Sequence, residues 1–182
     1  EKSHLVYISR LDDNWLKNIR KSLLDKPRLL YVGRIKVEKG IFSLLKIYDE
    51  IKTGAELSIV GNTKDLKINN KKINLLGFRD NVSALVKIYD SHNIIILPSF
   101  TEAHPKVLDE SLARVRPVII FQEIEHIIQN RYGIFVSKRN AESLSETIEF
   151  IMNNYANIQE NIKKNKLPTK EEFILQITQI LR

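Results

Sequence analysis

Cysteine is absent from the 182 residues of this chain. The protein can therefore form neither a disulfide nor a thiolate nucleophile, which is usual in a reducing cytoplasm. Long apolar runs are absent too, and none approaches the roughly 20 residues that a membrane-spanning helix needs. Residues 1–10 lack an initiator methionine and have neither the basic start nor the apolar core of a signal peptide. We therefore expect a cytoplasmic protein, present here as a fragment or a processed product.

Basic residues outnumber acidic ones, 29 lysines and arginines against 22 aspartates and glutamates, so the net charge is +7. This excess suits nucleic acid, an anionic membrane surface or a phosphorylated small ligand. The basic residues are scattered, with small clusters in 69–74 and 161–166. The sequence has no arginine-rich run and no interleaving of aromatic and basic residues of the kind that stacks bases. Nucleic acid is therefore not expected as a partner, whereas peripheral contact with the inner face of an anionic membrane stays open.

Short, uniformly apolar runs alternate along the chain with longer segments of helical spacing. This alternation predicts an α/β domain with a doubly wound, Rossmann-like parallel sheet, because strands that are covered by helices on both faces are apolar throughout. Strands are expected near 29–32, 56–60, 72–76, 93–97, 117–121 and 132–136. Helices are expected near 41–51, 82–90, 105–113, 123–130, 141–154, 156–164 and 169–181. The single domain spans 28–182, and residues 1–27, with a helix candidate in 11–26, form a linker or a remnant of a neighbouring domain.

The segment 33-GRIKVEKG-40 follows the first predicted strand. Ligands of open α/β sheets bind beyond the carboxyl ends of the strands, so Arg34 and Lys39 place two cations where a phosphate could bind. Gly33 allows a sharp turn off the strand. The segment is neither a Walker loop nor a G-x-G-x-x-G turn. The alternative interpretation is a strand exit with two solvated cations. Other strand exits carry Gly61 and Asn62, and then Gly77, Phe78 and Arg79.

The stretch 98-PSFTEAHPKVLDESLARVRPVI-119 carries Glu102 and Glu110 on either side of a predicted helix start at Pro105. Proline suits the first helical position, and the first amides of a helix are unpaired donors that favour an anion. Eight helical residues span about 12 Å. That distance exceeds the roughly 5 to 9.5 Å between the two acids of a glycosidase, and it suits a nucleotide-sugar instead. The alternative for Glu110 is an exposed helical acid. The predicted amide donors are those of Lys106, Val107 and Leu108.

Together, the segments 33–40, 57–61, 75–78 and 97–119 resemble the C-terminal domain of retaining GT-B glycosyltransferases of family 4. Glu102 and Glu110 match the E-x7-E motif of that family, and the resemblance extends over residues 29–181. It implies a domain that binds a UDP- or GDP-sugar as the donor substrate and requires no metal or other cofactor. Arg34 and Lys39 would contact the diphosphate, Glu102 would face the sugar, and Glu110 would hold the ribose.

The same resemblance implies catalytic roles for Glu102, Arg34 and Lys39 in hexosyl transfer with retention. The acceptor would be a glycan or a lipid-linked glycan. It would bind to an N-terminal domain outside this chain, so the isolated chain is expected to be inactive. Gly77 and Phe78 would border the base. The implied nucleotide-sugar contacts are Gly33, Arg34, Lys39, Gly61, Gly77, Phe78, Ala103, His104, Pro105, Lys106, Val107 and Glu110.

Two alternatives from other classes stay open. Ala103 and His104 stand where the family usually has Gly-Phe, and Val115 stands where it usually has glycine, which favours a non-catalytic nucleotide-sugar-binding module. The net charge keeps a basic domain for nucleic acid or membrane as the least favoured alternative. A metal site is not expected, because the histidines at positions 4, 92, 104 and 126 lack the spacing of metal ligands.

Overall fold

A computed structural model describes residues 8–64 and 66–181 of the protein. Its centre is a six-stranded sheet with all neighbouring strands parallel, in the order β3-β2-β1-β4-β5-β6. The predicted doubly wound α/β fold is thus confirmed. The strands are β1 (Arg28–Val32), β2 (Glu56–Val60), β3 (Ile73–Gly77), β4 (Ile94–Leu97), β5 (Val118–Phe121) and β6 (Ile134–Ser137).

Helices connect the strands and end the chain. They are α1 (Asp13–Leu16), α2 (Ile41–Tyr48), α3 (Val82–Ser91), α4 (Lys106–Ala113), α5 (Ala141–Asn153), α6 (Tyr155–Ile162) and α7 (Lys170–Ile180), with 3-10 helices at Val37–Lys39 and Gln122–Ile127. Thr169 and Glu172 form a capping box that starts α7. Within residues 8–64 and 66–181, no helix is long and apolar enough to cross a membrane.

Two helix predictions differ from the structure. The segment predicted as a helix over 123–130 forms the 3-10 helix instead, because Ile124 has non-helical backbone angles, φ −119° and ψ 22°. The candidate helix within 11–26 is limited to the four residues of α1. Beyond α1, the chain turns at Asn18, which has a positive φ of 54°. A right-handed helix has negative φ throughout, so it cannot continue through Asn18.

Residues 8–27 pack against the sheet domain. Trp15 is buried and makes an edge-to-face contact with the buried ring of Tyr89, with 5.3 Å between the ring centroids. Arg114 and Arg116, which are fully buried, donate hydrogen bonds to backbone carbonyls of this segment. The role of 1–27 as a linker or a remnant stays a prediction. Residues 1–7, including His4, lie outside the described residues.

The strand order places one crevice at the centre of the sheet. The chain runs from β1 outward to β2 and β3, and then returns to β4 on the other side of β1 before running outward to β5 and β6. The connections after β1 and β4 therefore diverge in opposite directions, and in open α/β sheets such a switch point is where ligands bind. The segments that begin at Gly33 and Pro98 meet at this crevice.

Candidate functional site

A cleft of about 420 Å³ lies at the carboxyl ends of β1 and β4. It brings together residues of both strand exits and of the start of α4. Most of the residues that were predicted for the diphosphate and the sugar share this cleft. Its lining is Tyr31, Val32, Gly33, Arg34, Lys39, Leu97, Ser99, Glu102, His104, Pro105, Lys106 and Val107.

A second cleft, of about 620 Å³, adjoins the first and shares Val32, Gly33 and Arg34 with it. Its walls are largely apolar, and they include the exposed rings of Phe42 and Phe78. Of the residues that were named at strand exits, this cleft contains Gly61, Asn62, Phe78 and Arg79 in addition to Gly33 and Arg34. The sequence analysis missed its apolar residues Ile35, Phe42 and Leu66. Of these three, only Ile35 could have been predicted from the sequence, because it lies directly after the first strand exit.

Lys39 and Glu102 form an ion pair inside the first cleft. Lys39 Nζ lies 2.6 Å from Glu102 Oε1, and Ser99 Oγ donates to the same oxygen at 2.7 Å. The side chain of Glu102 is only 10% exposed. Its backbone carbonyl accepts a hydrogen bond of 2.8 Å from His126 Nε2. The carboxylate is thus held in place and neutralised, so its charge is compatible with an anion in the same cleft.

Arg34 lies at the junction of the two clefts. Its side chain is 65% exposed, and its contact with Glu38, 3.8 Å from Nη2 to Oε1, is long for an ion pair. The backbone beneath it is fixed, because the hydroxyl of Tyr31 donates to the carbonyl of Arg34 at 2.6 Å. Arg34 therefore combines an anchored backbone with a guanidinium that can turn toward a ligand.

The N-terminus of α4 faces the first cleft, with two corrections to the prediction. Pro105 is the N-cap, not the first helical residue, because its backbone is extended at ψ 122°. The amide of Leu108 is not unpaired, since it donates to the Pro105 carbonyl at 3.0 Å. Among the described residues, no side chain caps this end. The helix start therefore offers the amides of Lys106 and Val107 to an anion.

His104 is oriented by an acid that the sequence analysis missed. His104 Nε2 lies 2.8 Å from Oδ2 of Asp109, a buried residue of α4, and Arg131 Nη1 binds the other Asp109 oxygen at 3.0 Å. Asp109 lies five residues after His104, a spacing that places it on the first turn of the helix. This network fixes His104 at the wall of the cleft.

Three of the residues that were predicted as nucleotide-sugar contacts line neither cleft. Ala103 is exposed in the loop before α4. Gly77 ends β3 with a positive φ of 71°, and its carbonyl accepts from the amide of Gly61 at 3.1 Å. Glu110 is half-buried on α4, where its Oε2 accepts from the hydroxyl of Tyr89 at 2.8 Å. Glu110 lies one turn beyond Lys106 on the same helix face. Its assignment to the ribose stays a prediction.

Comparison with known proteins identifies the family. The family model for glycosyl transferases group 1 matches residues 14–179. The chain belongs to this family. The resemblance that was drawn from the sequence motifs is thereby confirmed at the level of the family.

Curated relatives of the glycosyl transferases group 1 chain are bacterial and archaeal. An uncharacterized glycosyltransferase of Methanocaldococcus jannaschii is 28% identical, over 76% of this chain and 40% of its own length. The N,N'-diacetylbacillosaminyl-diphospho-undecaprenol alpha-1,3-N-acetylgalactosaminyltransferase of Campylobacter jejuni is 24% identical, over 83% of this chain and 43% of its own length. The chain thus spans less than half the length of these relatives.

Solved structures share the fold of this group 1 chain. Sucrose-phosphate synthase from Thermosynechococcus elongatus superimposes with a TM-score of 0.70 at 22% identity, covering 88% of this chain and 46% of that one. Anabaena HepE in complex with UDP and glucose superimposes with a TM-score of 0.69 at 15% identity, covering 86% of this chain and 48% of that one. At such identities the likeness shows the fold alone.

Gly40 allows the two strand exits of this group 1 domain to approach each other. It has a positive φ of 67°, and a Cβ at this position would lie 1.8 Å from the carbonyl oxygen of Pro98. Gly54 has nearly the same φ, 66°, but nothing lies within 4 Å of its Cβ position. The two glycines therefore separate the cost of the backbone conformation from the cost of the close approach.

We predict that Gly40→Ala destabilises the fold more than Gly54→Ala. The Gly54 variant carries only the left-handed backbone penalty, about 1–2 kcal/mol. The Gly40 variant carries the same penalty and must also displace the Pro98 backbone, together with the loop that leads to Glu102. Urea unfolding of both variants measures the difference. Equal losses of the free energy of unfolding would show that the two strand exits move apart freely.

The contribution of Glu110 to the stability of the fold is expected to depend on pH. Burial raises the pKa of Glu110 above its ordinary value, against the opposing hydrogen bond from Tyr89. The unfolded carboxyl group ionises first, so the stability that Glu110 confers falls as the pH rises from its unfolded pKa through its folded pKa. We expect Glu110→Gln, which can still accept from Tyr89, to raise the melting temperature at neutral pH. Below the ordinary pKa of glutamate the two proteins should melt alike. A lower melting temperature of the variant at neutral pH would contradict this sign.

Proposed function

We propose that this chain is the nucleotide-sugar-binding domain of a retaining glycosyltransferase. The enzyme would transfer a sugar, of the hexosyl type, from a UDP- or GDP-sugar to a glycan or a lipid-linked glycan. One observation carries the proposal: a single cleft joins Arg34, Lys39 and Glu102 to the uncapped N-terminus of α4. Cations, free amides and one neutralised carboxylate are the groups that a sugar diphosphate requires.

The two clefts suggest how the ligand lies. They share Val32, Gly33 and Arg34, so a ligand can occupy both only if its middle passes these residues. The apolar cleft with Phe42 and Phe78 suits the flat face of a base. The polar cleft with Glu102 suits the hydroxyl groups of a sugar. The diphosphate then lies between them, beside Arg34.

The charges at the centre suit the chemistry. When the bond from the sugar to the diphosphate breaks, negative charge grows on the leaving diphosphate. Preorganised cations and amides that are aimed at growing charge are usually the largest contribution to catalysis. Arg34, Lys39 and the amides of Lys106 and Val107 would supply it without a metal. Glu102, held by Ser99, would orient the sugar.

The acceptor is proposed from the relatives. The name of the Campylobacter jejuni relative describes transfer onto a sugar that is linked through diphosphate to undecaprenol. A comparable lipid-linked glycan would place this chain in the cytoplasm, in peripheral contact with the inner membrane face. Because residues 1–182 span less than half of such relatives, we propose that an acceptor-binding half outside these residues completes the enzyme and that the isolated chain transfers little or nothing.

A thermal-shift screen of UDP, GDP and ADP, each with and without an attached sugar, tests the proposal. A ligand that binds the folded state and not the unfolded state raises the melting temperature. The rise is about 2–4 °C for each kcal/mol that binding adds to the free energy of unfolding in a domain of this size. We expect a selective rise for one base, UDP or GDP, and a further rise with its sugar. Equal shifts from all six compounds and from inorganic pyrophosphate would reduce the site to a nonspecific anion site and would refute the proposal.

A second candidate is a nucleotide-sugar-binding module without catalysis. It is favoured by the contacts of the two glutamates, since Glu102 is bound by Lys39 and Ser99, and Glu110 by Tyr89. Pairing this chain with an acceptor-binding half of a relative distinguishes the two. Transfer of labelled sugar supports the enzyme, whereas tight binding without transfer supports the module.

A further inference from the structure

Arg139 follows β6, a strand to which the sequence analysis assigned no site residue. Its side chain is 15% exposed, and its guanidinium lies over two aromatic rings, 4.0 Å from the centroid of Phe100 and 4.3 Å from that of Phe121. Glu123 binds it through both carboxylate oxygens, at 2.7 Å and 3.1 Å. Stacking on two rings and a bidentate ion pair fix the position of this guanidinium.

The fixed guanidinium binds the backbone of the loop that carries Glu102. Arg139 Nη1 donates to the carbonyl of Pro98 at 3.0 Å, and Nη2 lies 3.4 Å from the carbonyl of Ser99. Ser99 in turn holds the Glu102 carboxylate through its hydroxyl group, 2.7 Å from Oε1. Arg139 thus reaches Glu102 through one residue, although it lines neither cleft.

The same carbonyl connects Arg139 to the Lys39 side of the cleft. The Pro98 oxygen, which accepts from Arg139, is also the atom closest to the Cβ position of Gly40, the residue after Lys39. The amide of Phe100 donates to the carbonyl of Glu38 at 3.0 Å. The loop after β4 is therefore held between the Lys39 segment on one side and Arg139 on the other.

We propose that Arg139 is a positioning residue for the sugar-binding end of the cleft. It holds the 98–102 loop at the distance at which Lys39 and Glu102 meet, and so it sets where Glu102 faces the ligand. This inference rests on the proposed function. It adds a residue from the far side of β5 to a site that is otherwise built from the exits of β1 and β4.

The chain offers a matched control for the test. Arg28, at the opposite end of the sheet, forms a bidentate ion pair with Asp25 at 2.6 Å and 2.7 Å, and its side chain is 19% exposed. Arg28→Lys and Arg139→Lys therefore each remove one bidentate ion pair while keeping the positive charge, because lysine cannot reproduce the planar guanidinium. Only the second also releases the loop.

Isothermal titration with UDP and with UDP-glucose compares these variants, and the melting temperature of each is recorded. We expect Arg139→Lys to weaken UDP-glucose binding by about 10- to 100-fold, the range for a site that loosens by roughly 1 Å. UDP, which lacks the sugar, should lose less affinity. Arg28→Lys should leave both affinities within about twofold of the original protein. If both variants weaken binding equally at equal melting temperatures, Arg139 is only structural and the inference is overturned.

A double-mutant cycle with Glu102→Gln separates positioning from general loosening. If Arg139 acts through Glu102, Arg139→Lys should change UDP-glucose affinity much less in the Glu102→Gln background than in the original chain. Additive losses would overturn the inference while leaving the proposed function intact. Absence of binding of every nucleotide to the unmodified chain would instead overturn the proposed function, and this inference with it.

Discussion

Replacement of Lys39 by alanine is expected to weaken UDP or GDP binding by about 10- to 100-fold or more. Two effects act in the same direction. The cleft loses a cation whose charge-assisted hydrogen bonds contribute about 1.5–3 kcal/mol, and each 1.4 kcal/mol is tenfold in affinity. The Glu102 carboxylate, 2.6 Å from Lys39 Nζ in the intact protein, also loses its counterion and then repels the diphosphate. Titration calorimetry at constant ionic strength measures the change.

The two effects are separable with a second variant. Glu102→Gln removes the repelling charge, so the Lys39→Ala and Glu102→Gln double variant should recover part of the affinity for UDP that Lys39→Ala loses. Lys17→Ala is the matched control, because Lys17 is an ion-paired lysine, 2.7 Å from Asp13, outside both clefts. If the Lys39→Ala variant binds UDP as tightly as the Lys17→Ala variant does, Lys39 does not contact the nucleotide.

Local pattern was sufficient to predict the sheet. Each apolar run became a strand within one or two residues of its predicted ends, because a strand that is covered on both faces needs apolar side chains at every position. The order of the strands was not predicted, but the alternation of strands and helices indicated a parallel, doubly wound sheet. The carboxyl edge, and with it the placement of Arg34 and Lys39, followed from that arrangement.

Long-range contacts account for what the sequence did not show. The segment 17–26 has helical spacing, yet its carbonyls at Lys17, Asn18 and Arg20 accept from Arg114 and Arg116, which lie 96 or 97 positions away. A carbonyl that binds a distant arginine is not free to continue a helix. No periodicity within the segment reveals such a partner.

The same limit applies to the candidate site. Residues at strand exits, such as Lys39 and Glu102, were predictable because the fold brings strand exits to one edge. Their ion pair spans 63 positions and was not predictable. Arg139 carried no signal, because a single arginine before a helix cap is usually a solvated residue. Its proposed action on the loop depends on the rings of Phe100 and Phe121, which both contact its guanidinium and are distant in sequence.

Replacement of Arg114 should cause the largest loss in the free energy of unfolding among the variants considered. It is fully buried and forks onto Asp90, with Nε 2.9 Å from Oδ1 and Nη2 2.8 Å from Oδ2. It also donates to the carbonyls of Trp15, Lys17 and Asn18, and so ties the segment before β1 to α3 and α4. We expect Arg114→Met to lower the free energy of unfolding by about 3–5 kcal/mol, because it breaks a buried ion pair and leaves Asp90 with only the longer contact to Arg116, 3.7 Å from Nη2 to Oδ1. Urea unfolding at neutral pH measures the loss.

Two further variants identify the cause of that loss. Arg28→Met removes a similar fork from Asp25, whose side chain is 61% exposed, and should cost less than about 1 kcal/mol. The double variant Arg114→Met and Asp90→Leu removes both partners of the close pair and should recover part of the loss, since Arg116 keeps its bonds to the carbonyls of His92 and Arg20. If the double variant recovers none of the loss, the hydrogen bonds from Arg114 to backbone carbonyls contribute more to the free energy of unfolding than the ion pair does. A loss in Arg114→Met no larger than that in Arg28→Met would mean that neither contact holds the segment before β1 to the domain.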